Sequence, residues 1–459
     1  MPAGFSASPA VFEQRGVHLD FKGVPPTFDR LLSLVDLFAA ARYNVILVEW
    51  EDAFPWTVDQ RMRSETAYSP EQVRQFVQHA AKRGLEIIPL VQCLGHLENA
   101  LGWPGRKHLR ELPDRSDVIN VLADGAGRLV RDMIDDVLAL CPDVRRFHLG
   151  GDEAWTFGSH PDTKAFIEKH GKAALYIQHI QPLLDHLNGR NIRPILWHDM
   201  MIHWSAEELA KLGRRADLMV WGYRGHPDQV NTGNHFHRSY IDHLAKAGVP
   251  LWCAGAFKGA DGMSSDLPDF NERRDNALAW ADVHRSLRFI GAVATGWSRY
   301  CTTTVQCEPI DAAFDALVNV GHIFHDGRSM PGEQPGCEAF LQSVGELDRF
   351  ARCRDALRTL AEARRVGWMN AADLREMLVT LRQDPRRRTG SMDVSRLKNL
   401  QRHIDEALAA AVKIRAAFAG LIDDLWINRY LDERIQPLQG EFARLAPEFA
   451  AVRSTADIH

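Results

Sequence analysis

Asp152 and Glu153 stand side by side, directly after Gly150-Gly151, at the end of the apolar run Arg146-Phe147-His148-Leu149. Two neighbouring carboxylates suit proton-transfer chemistry. One that stays ionised raises the pKa of the other and so keeps a proton donor charged with its proton near neutral pH. The glycines let the backbone turn sharply and leave space beside it. Acids also favour helix N-termini, so the pair alone could be an ordinary helix start. The rest of the chain decides between these readings.

Apolar runs that read as strands alternate with helical patterns along the first two thirds of the chain. Strand-like stretches fall at Arg15–Asp20, Tyr43–Trp50, Leu85–Val91, Arg146–Leu149, Ile192–Trp197, Leu218–Trp221, Val249–Ala254 and Phe289–Thr295. Tyr43–Trp50 is nearly all β-branched and apolar, as a strand buried on both faces requires. Ser69-Pro70-Glu71 is a helix start, a cap followed by proline in the first turn. A single helical region is expected over about 162–188. Eight such repeats, with no glycine-rich phosphate loop after the first strand, predict a (β/α)8 TIM barrel over residues 12–328. Residues 1–11 read as a lead-in. The proline- and glycine-rich break at Ser329–Gly336 opens a C-terminal α-helical extension over 329–459, with one long amphipathic helix at Ser395–Ala417 that also suits a homodimer. Arg386-Arg387-Arg388 reads as a solvated loop.

Composition narrows the function. A net charge of -5 over 459 residues gives no concentrated basic face, so nucleic acid is not an expected partner. No apolar run is long enough to cross a membrane and no secretory signal is visible. The seven cysteines are scattered without metal or disulfide spacing, so a reducing cytoplasm is the expected compartment.

In such a barrel, chemistry belongs at the carboxyl ends of the strands. These ends collect His18 and Asp20, Glu49, His96, His148 with Asp152 and Glu153, Trp197 with Asp199, Trp221 with Tyr223, Trp252, then Trp297, Tyr300 and Glu308. Acids and indoles on one face suit a sugar. Indoles stack on the C–H face of a ring, and carboxylates accept its hydroxyl hydrogens.

The chain resembles the β-N-acetylhexosaminidases of glycoside hydrolase family twenty, and the hexosaminidase D branch in particular. The resemblance rests on His148-Leu-Gly-Gly-Asp152-Glu153, Val17-His-Leu-Asp-Phe-Lys22-Gly23, Glu49-Trp-Glu-Asp52, Gln92-Cys-Leu-Gly-His96, Trp197-His-Asp199, Phe257-Lys258-Gly259 and Gly296-Trp297-Ser-Arg299-Tyr300. It implies an exo-acting enzyme that releases terminal β-linked GalNAc or GlcNAc, the galacto sugar slightly favoured, with retention. The 2-acetamido oxygen of the substrate attacks the anomeric carbon, giving an oxazolinium ion. The resemblance makes Glu153 the general acid and base, and Asp152 the partner of the acetamide N–H. Trp197, Trp221 and Trp297 wall the acetamido pocket, and Arg15 binds sugar hydroxyls. The family's acetamide-binding tyrosine has no counterpart between Trp252 and Lys258, so Tyr223 is the expected donor, with Tyr300 second. His96, His148, Asp199, Trp252 and Glu308 complete the expected sugar contacts, and no cofactor or metal is needed. Two other readings stand beside this one. The first is a metal-dependent hydrolase on the same barrel, with ligands from His18, Asp20, His96, His148, His198 and Asp199. The second is a non-catalytic sugar-binding barrel.

Overall fold

In the computed structural model, which describes residues 9–383 and 392–454, eight parallel strands close in chain order into a barrel. They are β1 (Gln14–Asp20), β2 (Val45–Glu49), β3 (Glu86–Leu90), β4 (Arg146–His148), β5 (Arg193–Trp197), β6 (Asp217–Trp221), β7 (Leu251–Lys258) and β8 (Gly291–Gly296). Every residue of β2 is buried. Alternation sends Val45 and Leu47 into the barrel, where Ile88, Ile195, Met219 and Val293 meet them. The neighbours Ile46 and Val48 are equally buried, beneath the outer helices.

The strands hand the chain to helices, two of whose starts are fixed by a capping box. At Pro70–Lys82, the Ser69 hydroxyl accepts the Gln72 N–H and the Gln72 side chain accepts the Ser69 N–H, with Pro70 in the first turn. Ser205 and Glu208 repeat the device at Ala206–Gly213. Two boundaries differ from the sequence reading. The helical region at 162–188 is two helices, Pro161–His170 and Lys172–Asn188, parted at Gly171, whose φ of 88° suits glycine. β7 starts later and runs on through Lys258. Its small residues Gly255 and Ala256 look like loop in sequence, but they sit under Asn276 and Trp280 and stay paired with β8.

The amino-terminal end of the barrel is closed by ion pairs. Arg146 meets Glu86 at 2.8 Å and Arg193 meets Asp217 at 2.8 Å. The Trp252 indole donates to Asp217 at 3.2 Å, and the Arg146 guanidinium lies 5.3 Å from its ring. On the outside, buried Arg30 holds Asp311 at 2.8 Å and Glu346 at 2.9 Å, tying the first crossover helix, Phe28–Ala40, to the segments after β8.

The chain divides into two compact units between Leu347 and Asp348, so helix Gln334–Ser343 belongs with the barrel. The second unit is helical: Leu347–Gln383, Met392–Phe418 and Asp424–Ser454. Leu374, Leu378, Leu400, Ile404, Leu438 and Leu445 form its core. On the long helix Met392–Phe418, Leu408 is 42% exposed, while Ala407, Ala410 and Ala411 face inward. Small residues let helices approach closely, and a hydrophobic pattern that counts only large side chains misses that face. Arg386–Arg388 lie outside the described residues. No helix among the described residues is long and apolar enough to cross a membrane.

Candidate active site

The turn after β4 is built by steric exclusion. Gly150 and Gly151 take left-handed backbone, φ 60° and 84°. A side chain at Gly150 would collide with Gln92, and one at Gly151 with the Tyr176 hydroxyl. Glu153 also has positive φ, 44°, without being glycine. Such a conformation costs about 1–3 kcal/mol and persists only where the surroundings impose it. Here its N–H donates to Asp199 Oδ2 at 3.0 Å, and its carbonyl accepts the Trp155 N–H at 2.8 Å. Gly95 passes so near the Asp152 carbonyl that no Cβ would fit between them.

A cavity of about 290 Å³ opens at this end of the barrel. The structure brings together Asp152, Glu153, His96, Trp221, Tyr223, Trp297 and Tyr300 around it, with Lys22, Gln92, Met263 and Arg299. Tyr223 stacks on Trp221, ring centres 5.3 Å apart at 26°, and meets Trp297 edge-on at 6.3 Å.

Four expected contacts support the cavity from behind. Trp197 is fully buried, with its ring 6.1 Å from Trp297 and 4.4 Å from His148. His148 accepts the Gly150 N–H at Nδ1 (2.9 Å), and burial pushes its pKa down to about 3, so the ring is neutral. Asp199 accepts from both Glu153 and the Trp221 indole, the latter at 3.1 Å. Glu308 is buried and accepts the Gly259 N–H at 2.7 Å and the Ser265 hydroxyl, fixing the loop after β7.

Two expectations are corrected. Arg15 lies at the amino-terminal mouth, because it begins β1; its guanidinium donates to the carbonyls of Arg42 (2.7 Å), Phe12 (2.7 Å) and Glu13 (3.0 Å). Trp252 is the second residue of β7, not its end, and belongs to the closed floor beside Asp217. The cation beneath the cavity is Lys22 instead. Burial opposes its charge, but Asp20 at 3.2 Å, Glu49 at 2.8 Å and Glu51 outweigh burial and raise its pKa. Lys22 and Gln92 extend the inward alternation of β1 and β3 by one step, which was the available signal. Met263 sits in a long loop that carries no pattern.

The two adjacent carboxylates lie close to one imidazole. His96 Nε2 lies 3.3 Å from Glu153 and 3.6 Å from Asp152. Burial would lower its pKa, but Asp152, the bond to Glu153 and Glu98 raise it to about 10, so the ring is an imidazolium. Burial raises Asp152; His96 pulls against this, Asp199 and Glu153 add to it, and the carboxyl sits at about 7. Asp152 thus holds its proton to a higher pH than an ordinary aspartate. The Tyr223 hydroxyl is held well above its ordinary pKa, first by burial and then by Asp152 and Glu153, so it stays neutral and keeps a proton to donate.

Among the described residues, His96, Asp152 and Glu153 form the set whose ligand atoms lie close together, within 4.8 Å. A metal bound there would have to displace the proton that His96 carries in the ion-free site. The other candidate ligands are engaged apart: His18 with Glu49 at 3.6 Å, Asp20 with Lys22 and the Ser298 N–H, and His198 with the His235 carbonyl at 3.0 Å.

Residues 12–310 match the model described as glycosyl hydrolase family 20, catalytic domain. Hexosaminidase D of Bos taurus is 32% identical over 314 residues, covering 66% of this chain and 89% of the relative. Hexosaminidase D of Homo sapiens is 32% identical over 317 residues, covering 67% of this chain and 64% of the relative, just under two thirds of its length. In fold, the crystal structure of a β-N-acetylhexosaminidase from Bacteroides fragilis matches with a TM-score of 0.55 at 16% identity, covering 74% of this chain and 72% of that one.

Proposed function

Because the chain belongs to glycosyl hydrolase family 20 and is a β-N-acetylhexosaminidase, we propose that it removes single terminal β-linked GalNAc or GlcNAc residues, with the amide of the substrate as nucleophile. The observation that carries this reading is the content of the cavity. Its carboxylates among the described residues are Asp152 and Glu153, adjacent in the chain and bridged by one imidazolium. A two-carboxylate retaining site needs a nucleophile across the ring from the acid. Two groups on one turn cannot flank the anomeric carbon in that way. The 2-acetamido oxygen supplies the missing attack from within the substrate.

Each step then has a residue. Glu153 protonates the glycosidic oxygen and later takes a proton from the attacking water. Asp152, once ionised, accepts the acetamide N–H and balances the charge that grows on it as the oxazolinium forms. Tyr223 donates to the acetamide oxygen and aligns it. Trp221 and Trp297 wall the group and exclude water, which strengthens the Asp152 interaction. Lys22, Gln92 and Arg299 offer polar contacts to ring hydroxyls. A cavity of about 290 Å³ holds one amino sugar, which makes the enzyme exo-acting. The galacto preference is carried by the likeness to hexosaminidase D. Among the described residues the seven cysteines form no disulfide, which suits a reducing compartment.

A panel of nitrophenyl sugars that differ only at C2 and C4 tests the reading. The 2-acetamido sugars should be cleaved and their 2-hydroxyl counterparts left nearly untouched. Equal cleavage of both would overturn the assisted route, and the GalNAc to GlcNAc ratio of kcat/KM reports the C4 preference.

A further inference from the structure

A second basin, of about 280 Å³, adjoins the catalytic cavity and shares His96, Glu153 and Tyr300 with it. It does not touch Trp221, Tyr223 or Trp297, the rings that wall the sugar. It therefore lies on the leaving-group side of the proton donor. Its outer wall is acidic, with Glu98, Asp114 and Asp117 around Arg115. Arg115 is taken by Asp117 at 2.6 Å, and the His96 cation by Asp152 and Glu153. Glu98 and Asp114 leave this wall with more acids than bases, and burial raises the Glu98 pKa while the His96 cation opposes that. Glu98 is only 9% exposed, yet its Oε2 has no hydrogen-bond partner. A buried carboxylate oxygen without a donor is costly unless a ligand supplies one. Above it stand two unusually open rings, Trp155 at 69% exposure and Tyr300 at 47%. The Trp155 amide donates to the Glu153 carbonyl at 2.8 Å, so the backbone that carries this ring is tied to the turn that carries the acid.

We propose that this basin is the subsite for the group from which the amino sugar is released, and that it selects cationic, amine-bearing sugars over anionic ones. Trp155 and Tyr300 offer faces to a sugar ring. Glu98 and Asp114 accept from an ammonium or amide N–H and repel a carboxylate or sulfate. This inference rests on the hexosaminidase reading above.

The test uses three disaccharides with the same non-reducing β-N-acetylhexosaminyl unit, linked to glucosamine, N-acetylglucosamine or glucuronic acid. They are assayed at pH 6, where the free amine is charged, beside the neutral nitrophenyl glycoside. The expected order of kcat/KM is amine, then amide, then acid, with about a tenfold or larger span between the ends. Asp114 is exposed, so Asp114→Lys should fold, and it should shrink that span by about tenfold. Glu98→Gln should shrink it as well. Wild-type enzyme that cleaves the nitrophenyl glycoside but treats amine and acid within twofold of each other overturns the subsite, as does an Asp114→Lys variant with an unmoved ratio. No cleavage of the nitrophenyl glycoside by wild type would instead bring down the hexosaminidase reading, and the subsite with it.

Discussion

Asp199→Ala removes one carboxylate that performs two tasks. Its Oδ2 accepts the Glu153 N–H at 3.0 Å and its Oδ1 the Trp221 indole N–H at 3.1 Å. A hydrogen bond to a charged acceptor is worth about 1.5–3 kcal/mol. The first of these bonds restrains a residue whose φ of 44° stores strain. Once released, Glu153 relaxes away from the position that meets the glycosidic oxygen. Restoring it at the transition state costs about 2–3 kcal/mol, the size of the strain and of the lost bond. At 1.36 kcal/mol per decade, kcat should fall by about 30- to 150-fold. KM should rise only a few-fold, because Trp221 keeps its stacking on Tyr223. Asp199→Asn keeps one acceptor oxygen but turns an amide donor towards the other N–H, so about a tenfold loss is expected, at one bond. Steady-state kinetics on a natural disaccharide give the numbers, and a melting curve on each variant separates positioning from unfolding. A folded Asp199→Ala enzyme with kcat within threefold of wild type would refute the argument, since Glu153 would then hold its place unaided.

Glu153→Gln should lower turnover of a natural glycoside by about 10²- to 10⁴-fold, with a smaller loss on nitrophenyl glycosides, whose leaving group needs little protonation. Asp152 must be ionised to accept the acetamide N–H, and its pKa is raised to about 7; kcat/KM should therefore rise with pH through about 7, and Asp152→Asn should abolish that limb along with most activity. A pH profile whose acid limb sits in the ordinary carboxylate range would count against this assignment. Arg15→Ala breaks three bonds to backbone carbonyls at the far mouth, a loss of about 1–3 kcal/mol; it should lower the melting temperature by a few degrees and leave KM unchanged, and a raised KM would place Arg15 at the sugar after all.

The barrel was legible because each strand is a run that only a doubly covered sheet tolerates. Tyr43–Trp50 could hardly be anything else. The turn at residues 150–153 was legible only in context, since the acids alone suit a helix start and it was the strands around them that put them at a barrel mouth. Arg15 went to the sugar through the family resemblance alone, although the sequence reading already began β1 there; Trp252 was misplaced for a different reason. Strand ends decide which mouth a side chain serves, and apolar periodicity locates ends poorly. β7 continues through small residues that resemble loop, so a residue near its start looked like one near its end. Trp197, His148 and Asp199 lie behind the cavity wall, a distinction of a few ångströms that no spacing in the sequence encodes. Lys22 carries a charge that seems out of place in a core until Asp20, Glu49 and Glu51 are seen to converge on it, and these arrive from two different strand ends.

The contact between Gly95 and the Asp152 carbonyl has a bearing on how the enzyme cycles. The loops after β3 and β4 meet there with no slack, and the Glu153 amide is tied to Asp199 after β5. This arc of the mouth is a fixed rim rather than a lid. A rim held this way should leave the speed of product release to how tightly the rings grip the sugar.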